Sequence, residues 1–297
     1  MTKKPRARHG QSSRAEAASG TRIWHQSITD LTVLPGYAGM LAEHARQVCD
    51  AGTTVDLHGV RPGTYPPGVA PIEMARSRWS GHLRAIQIVE NVMRAEREGY
   101  DAVAISCFVD PGLEEARSLV DIPVVSSLET ALLVSSTMGR AFGLIALDEG
   151  MAHRLRKLIR GYGFQDRVVS VSPLAQPLTE HQLDKAFAGS KEFVNSFTEQ
   201  ARGLIRDGAD VVIPAEGVLN TVLVRNKLCE IDGIPVLDSY GAVLGMAEML
   251  VRLRNRTGLR VGRGAAYFRP SAGIVNHLRR VTGEALEEMR KLAEPGK

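Results

Sequence analysis

Two related phrases constrain this chain more than any other feature: YDAVAISCFVDPG, from Tyr100 to Gly112, and ADVVIPAEG, from Ala209 to Gly217. Each is a short apolar run that starts at an Asp and ends, six residues on, at a polar side chain: Asp101 to Cys107, and Asp210 to Glu216. An apolar run of this length stopped by turn residues reads as a parallel strand covered on both faces. A helix-like segment closing on Gly precedes each copy, REGYD and RDGAD. A second strand around Ile-Pro-Val follows each, DIPVVSS at Asp121 to Ser127 and GIPVLDS at Gly233 to Ser239. Alternating strands and helices predict an α/β fold, and the duplication predicts two pseudosymmetric parallel-sheet lobes with a site between them.

The remaining elements fit that plan. Strands are expected at Thr21 to Ile28, Thr53 to Val60, Ala141 to Leu147 and Val168 to Val171. Leu83, Ile86, Val89 and Met93 recur at helical spacing and predict one long helix from about Ile72 to Glu98. Further helices are expected near residues 38–48, 113–119, 128–138, 152–162, 190–207, 219–228 and 240–255, with a short strand at Val236-Leu237. The polar stretch from Pro177 to Ala188 reads as a lead-in without an element of its own, and RPGTYPPG after Val60 is too rich in Pro and Gly to be anything but loop.

Length and composition agree with two compact lobes: 297 residues, 44% hydrophobic and 24% charged. The net charge of +4 is gathered largely at the two ends, at Lys3, Lys4, Arg6, Arg8 and Arg14 and at Arg252, Arg254, Arg256, Arg260 and Arg263. No recognised motif or interleaved aromatics accompany it, so a nucleic-acid partner is not expected. Residues 1–20 lack periodicity and read as a disordered leader, whereas 258–297 read as a basic extension with an amphipathic helix from about Ala272 to Leu292. That helix is expected to pack on a lobe or on a partner subunit, in a homo-oligomer. Three cysteines make no disulfide framework, and no stretch reads as a signal peptide or membrane span, which points to the cytoplasm and away from membranes.

Ligands of open α/β sheets collect at the carboxyl ends of strands. Cys107 and Glu216 stand at two equivalent ends, so a pseudo-twofold axis would bring them face to face across the interlobe cleft. Racemisation of a carbon acid needs one proton-transfer group on each face of the carbon, and a thiol or a carboxyl can serve either face. The same pair also suits a cysteine nucleophile assisted by Glu216, acting as a hydrolase on an amide or imide. A thiol that protonates an enolate after decarboxylation is a third use, and a non-catalytic small-molecule binding protein a fourth. Gln26, Ser27, Phe108, Asp110, Asp148 and Gly217 are expected to hold a planar polar substrate. No phosphate loop, Cys-x-x-Cys pair or His-Glu-x-x-His arrangement is present, so neither a metal nor a cofactor is expected.

The chain resembles the hydantoin racemase branch of the aspartate/glutamate racemase superfamily from about Arg22 to Arg256. The resemblance rests on SCFVDPGLEEAR at Ser106 to Arg117, on MGRAF at Met138 to Phe142 and on the closing VLDSYGAVLGMAEMLV segment. It implies a final helix that returns to the first lobe, hence a first lobe of 21–138 plus 239–257 and a second of 139–238. It also implies that Cys107 is the first catalytic cysteine and that Glu216 occupies the place of the second, within a Gly-Cys-Ala-Gly-like motif. The expected reaction is cofactor-independent racemisation of a small carbon acid such as a 5-substituted hydantoin. Cys229 and Cys49 lie outside the motifs and read as buried small apolar residues.

Overall fold

The computed structural model describes residues 20–176, 178–186 and 191–293. The expected leader therefore lies outside the described residues apart from Gly20. The chain opens with β1 (Arg22–Ser27), α1 (Pro35–Val48), β2 (Thr54–His58), α2 (Pro71–Arg76), α3 (Arg78–Arg97), β3 (Ala102–Ser106), α4 (Leu113–Leu119), β4 (Val124–Ser126) and α5 (Ser127–Met138). It continues with β5 (Phe142–Ala146), α6 (Glu149–Gly161), β6 (Val168–Pro173), α7 (Glu180–Ala186), α8 (Lys191–Arg206), β7 (Val211–Pro214) and α9 (Gly217–Arg225). A hairpin of β8 (Glu230–Ile231) and β9 (Ile234–Pro235), then α10 (Ser239–Thr257) and α11 (Ala272–Ala293), complete it. Among the described residues no helix is long and apolar enough to cross a membrane.

Two parallel sheets carry the architecture, in the orders β2-β1-β3-β4 and β6-β5-β7. Val236 bridges Val212 in parallel at the free edge of β7. It stands where β4 stands in the first sheet, so both sheets repeat one strand order. The strand expected at Val236-Leu237 is thus a single bridge, because the preceding residues form the β8–β9 hairpin instead.

The repeated Asp is a structural tie. Asp101 accepts a hydrogen bond from Arg22 N at 2.8 Å, and Asp210 accepts the equivalent one from Arg140 N, also 2.8 Å. Each carboxylate clips the entry of the neighbouring strand, β1 or β5, which is why the duplication preserves it.

The core strands β3, β5 and β7 are buried along their whole length, as a sheet covered on both faces requires. Helix α10 packs against α5, β3 and β4, bringing the chain back onto the first sheet after the second. The helix expected from Ile72 to Glu98 is instead two, α2 and α3. Ser77 breaks it in an extended conformation, and its Oγ accepts from Ser80 N at 3.2 Å to cap α3. Helix α7 falls inside the stretch expected to carry no element. Its signal is a capping box: Gln182 N donates to Thr179 Oγ1, and Thr179 N donates to Gln182 Oε1 at 2.8 Å.

Candidate active site

Strand β3 ends at Ser106, and Cys107 begins the turn that follows, its carbonyl accepting from Asp110 N at 3.1 Å. Two residues of this turn have left-handed backbone, Asp110 (φ 42°) and Gly112 (φ 69°). Gly112 is required twice over, since a Cβ there would also sit 2.7 Å from Val89 Cγ2. Strand β7 ends in the same way, and Glu216 becomes the N-cap of α9, its Oε2 accepting from Leu219 N at 2.7 Å. Cys107 and Glu216 both line one cavity of about 320 Å³. Ser27, Phe108 and Gly217 line it too.

Three of the expected binding residues stand elsewhere. Gln26 is buried behind the cavity, where its Oε1 accepts from Trp24 Nε1 and Asn91 Nδ2. Asp148 caps α6, accepting from Met151 N at 2.7 Å, and lines a neighbouring depression with Arg76. Asp110 is a buried knot. Its carboxylate accepts from Ser126 Oγ, Leu128 N, Glu129 N and Tyr162 OH, all within 3.0 Å, and so joins the β3–α4 turn to α5 and to the end of α6. Neither Cys49 nor Cys229 reaches the cavity, and neither is buried as expected: Cys49 is half-buried, and Cys229 is exposed in the connection after α9.

Sequence reasoning missed several residues that complete the lining. Tyr37, on α1, is 2% exposed and packs directly over Gly217, where a Cβ would lie 2.5 Å from its hydroxyl. Glu180, on α7, is buried and accepts from Ile72 N at 3.0 Å. Arg84, on α3, is 2% exposed and donates to Tyr65 OH at 2.6 Å and to Ser80 O. Arg78 and His82 of α3, and Arg154 and Lys157 of α6, line the same space. Tyr37 and Arg84 carry no motif around them, whereas the capping box at Thr179 would have located Glu180 on a helix.

The electrostatics set the protonation states. Burial pushes the Cys107 thiol up to about 12, against the opposing pull of the Val109 N–H and the Arg84 charge. The thiol is therefore protonated near neutrality. Burial also raises Glu216, while the N–H groups of Leu219, Val218 and Gly217 favour its ionised form. Glu180 is raised by burial and then by the Glu216 charge beside it. Burial and the three N–H groups thus pull Glu216 in opposite directions, and the charge of one carboxyl disfavours ionisation of the other. Burial first, and then the charge of Glu216, raise Tyr37 well above its ordinary value, which makes it a neutral hydroxyl on the wall shared with Glu216 and Cys107.

The sequence profile of the Asp/Glu/Hydantoin racemase family matches residues 37–247. The chain belongs to that family. Over 233 residues it is 29% identical to a hydantoin racemase of Paenarthrobacter aurescens, covering 78% of this chain and 91% of that protein. Its fold is that of an allantoin racemase from Klebsiella pneumoniae (TM-score 0.68, 21% identity, 85% of this chain and 94% of that one). An allantoin racemase from Pseudomonas fluorescens is similar as well (TM-score 0.66, 24% identity, 84% and 97%). The matched family segment contains Cys107, Glu216, Glu180, Arg84 and Tyr37, and it ends before α11 begins.

Proposed function

We propose that this protein is a racemase of a small cyclic amide such as a 5-substituted hydantoin, working without a cofactor and with Cys107 and Glu216 as the two proton-transfer groups. The observation that carries the reading is the pair itself: a thiol and a carboxyl at equivalent strand ends of two related sheets, lining one cavity. Membership of the family and the likeness to hydantoin and allantoin racemases support the reaction class.

In this reading the carboxylate of Glu216 takes the proton from the α-carbon, and the electron pair of the broken C–H bond moves into the adjacent carbonyl as an enolate. Cys107 then gives its thiol proton to the opposite face of that carbon. The inverted product leaves a thiolate and a protonated Glu216, which is the form that accepts the other enantiomer. Return of the proton from Glu216 to Cys107 resets the first form. The high pKa of the buried thiol makes it a proton donor at rest and, once ionised, a strong base. In the same reading Ser27 and Phe108, which line the cavity, hold the substrate beside the pair. The division into lobes at 21–138 with 239–257 and at 139–238, residence in the cytoplasm and assembly as a homo-oligomer belong to the same proposal. An amphipathic α11 that leaves Ile274, Leu278 and Val281 exposed favours the last of these.

Incubating single hydantoin enantiomers in deuterated water tests the mechanism. The wild-type protein should place deuterium on the α-carbon while optical activity decays, and Cys107→Ala should lose inversion and exchange at most the enantiomer whose α-proton faces Glu216. Glu216→Gln should lose inversion. Opening of the ring or amide with no α-deuterium would replace this reading with a nucleophilic one.

A further inference from the structure

The lining of the cavity holds more positive charge than a neutral substrate needs. Arg78, Arg84, Arg154 and Lys157 contribute four cations, from one face of α3 and one face of α6, against the two carboxyls of Glu180 and Glu216. Arg84 is the decisive member. It is 2% exposed, its Nε and Nη1 are engaged by Ser80 O and Tyr65 OH, and its Nη2 donates to no described residue while the side chain lines the cavity. Arg84 Nη2 is not among the buried unpartnered atoms, so its N–H pair opens into the cavity, where an anion can receive it in a charge-assisted contact.

Its neighbours sharpen the point. Arg154 is half-buried, and among the described residues its one hydrogen bond runs from Nη2 to the carbonyl of Arg76 at 3.2 Å. Burial and the repulsion of Arg78 and Arg84 lower its pKa, and the opposing pull of Asp148 does not offset them. The nearby Asp148 is 3.6 Å from Arg76 and occupied in capping α6.

Resting on the racemase reading above, we propose that the substrate is anionic: a carbon acid with a carboxylate arm, such as a hydantoin with a short acidic 5-substituent, whose carboxylate lies between Arg84 and Arg154. The arm would orient the ring so that its α-carbon faces Cys107, because Arg84, Arg154 and Cys107 line the same cavity.

Hydantoin-5-acetic acid and its neutral isostere hydantoin-5-acetamide separate the possibilities. The wild-type protein should prefer the acid by on the order of 100-fold in kcat/KM. Arg84→Lys and Arg154→Gln should each cut that preference by about tenfold, chiefly through KM of the acid, as loss of a charge-assisted bidentate contact predicts. Should Arg84→Lys fail to fold, Arg154→Gln carries the test. An acid-to-amide ratio near one overturns the proposal and leaves the racemase reading intact. So does a ratio unchanged by the variants while turnover of both substrates falls equally, because Arg84 would then serve only the thiol and Tyr65. If neither compound exchanges its α-proton, the racemase reading fails instead. Calorimetric binding of the two compounds then decides the inference: tighter binding of the acid, weakened in Arg154→Gln, sustains it, and equal binding overturns it.

Discussion

Replacing Asp110 by Asn discriminates between a substrate ligand and a structural knot at the tip of the catalytic turn. Oδ1 accepts from Ser126 Oγ and Leu128 N, and Oδ2 from Glu129 N and Tyr162 OH. Asn retains the first pair. Its NH₂ group cannot accept from Glu129 N, although the Tyr162 hydroxyl can turn to accept from it. One buried N–H is left facing another donor, a loss of about 2 to 3 kcal/mol. At an m-value of about 2 to 3 kcal/mol/M, urea unfolding should shift down by about 1 M. Tyr162→Phe, which removes one donor to a charged acceptor, should lower stability by about 1.5 kcal/mol. Burial raises Asp110 to about 6, above its unfolded value, so its contribution is fully present in acid and declines as pH rises through about 6. The gap between wild type and the non-titrating Asp110→Asn should therefore shrink from pH 4 to pH 7. An unchanged urea midpoint together with a raised KM would refute this reasoning and return Asp110 to the substrate.

Two further outcomes follow from the geometry. Gly217→Ala places a methyl 2.5 Å from the Tyr37 hydroxyl, so the tyrosine must move; steady-state kinetics should show kcat/KM lower by on the order of 100-fold, with about 1 to 3 kcal/mol of stability lost in urea. His44 and Asp238 form an ion pair at 2.6 Å that ties α1 to the start of α10. Burial opposes both charges, but the mutual hydrogen bond raises His44 and lowers Asp238. Asp238 stabilises above its unfolded value and loses that effect in acid; His44 stabilises below its own and loses it as pH rises. The pair should add at most about 1 kcal/mol, being partly exposed, with its maximum between about pH 4 and 6.5. Thermal melts of His44→Ala should lack that maximum.

The duplicated phrase by itself determined the two sheets, their parallel sense and the placing of a thiol and a carboxyl at matching strand ends, because buried parallel strands impose local apolar runs with polar stops. Short-range capping was equally legible in principle, as Thr179 and Gln182 show, although polarity made that stretch look like loop. Tertiary packing alone decided which polar residues reach the cavity. Gln26, Asp110 and Asp148 have the composition of ligands, yet neighbours distant in sequence claim hydrogen bonds of the first two, Asn91 for Gln26 and Tyr162 for Asp110, and the start of α6 claims Asp148 as its cap. Tyr37, Arg84 and Glu180 come from three different helices and meet only when the two halves close on each other. Burial then sets their charges, and no local pattern records how far from water a side chain will finally stand.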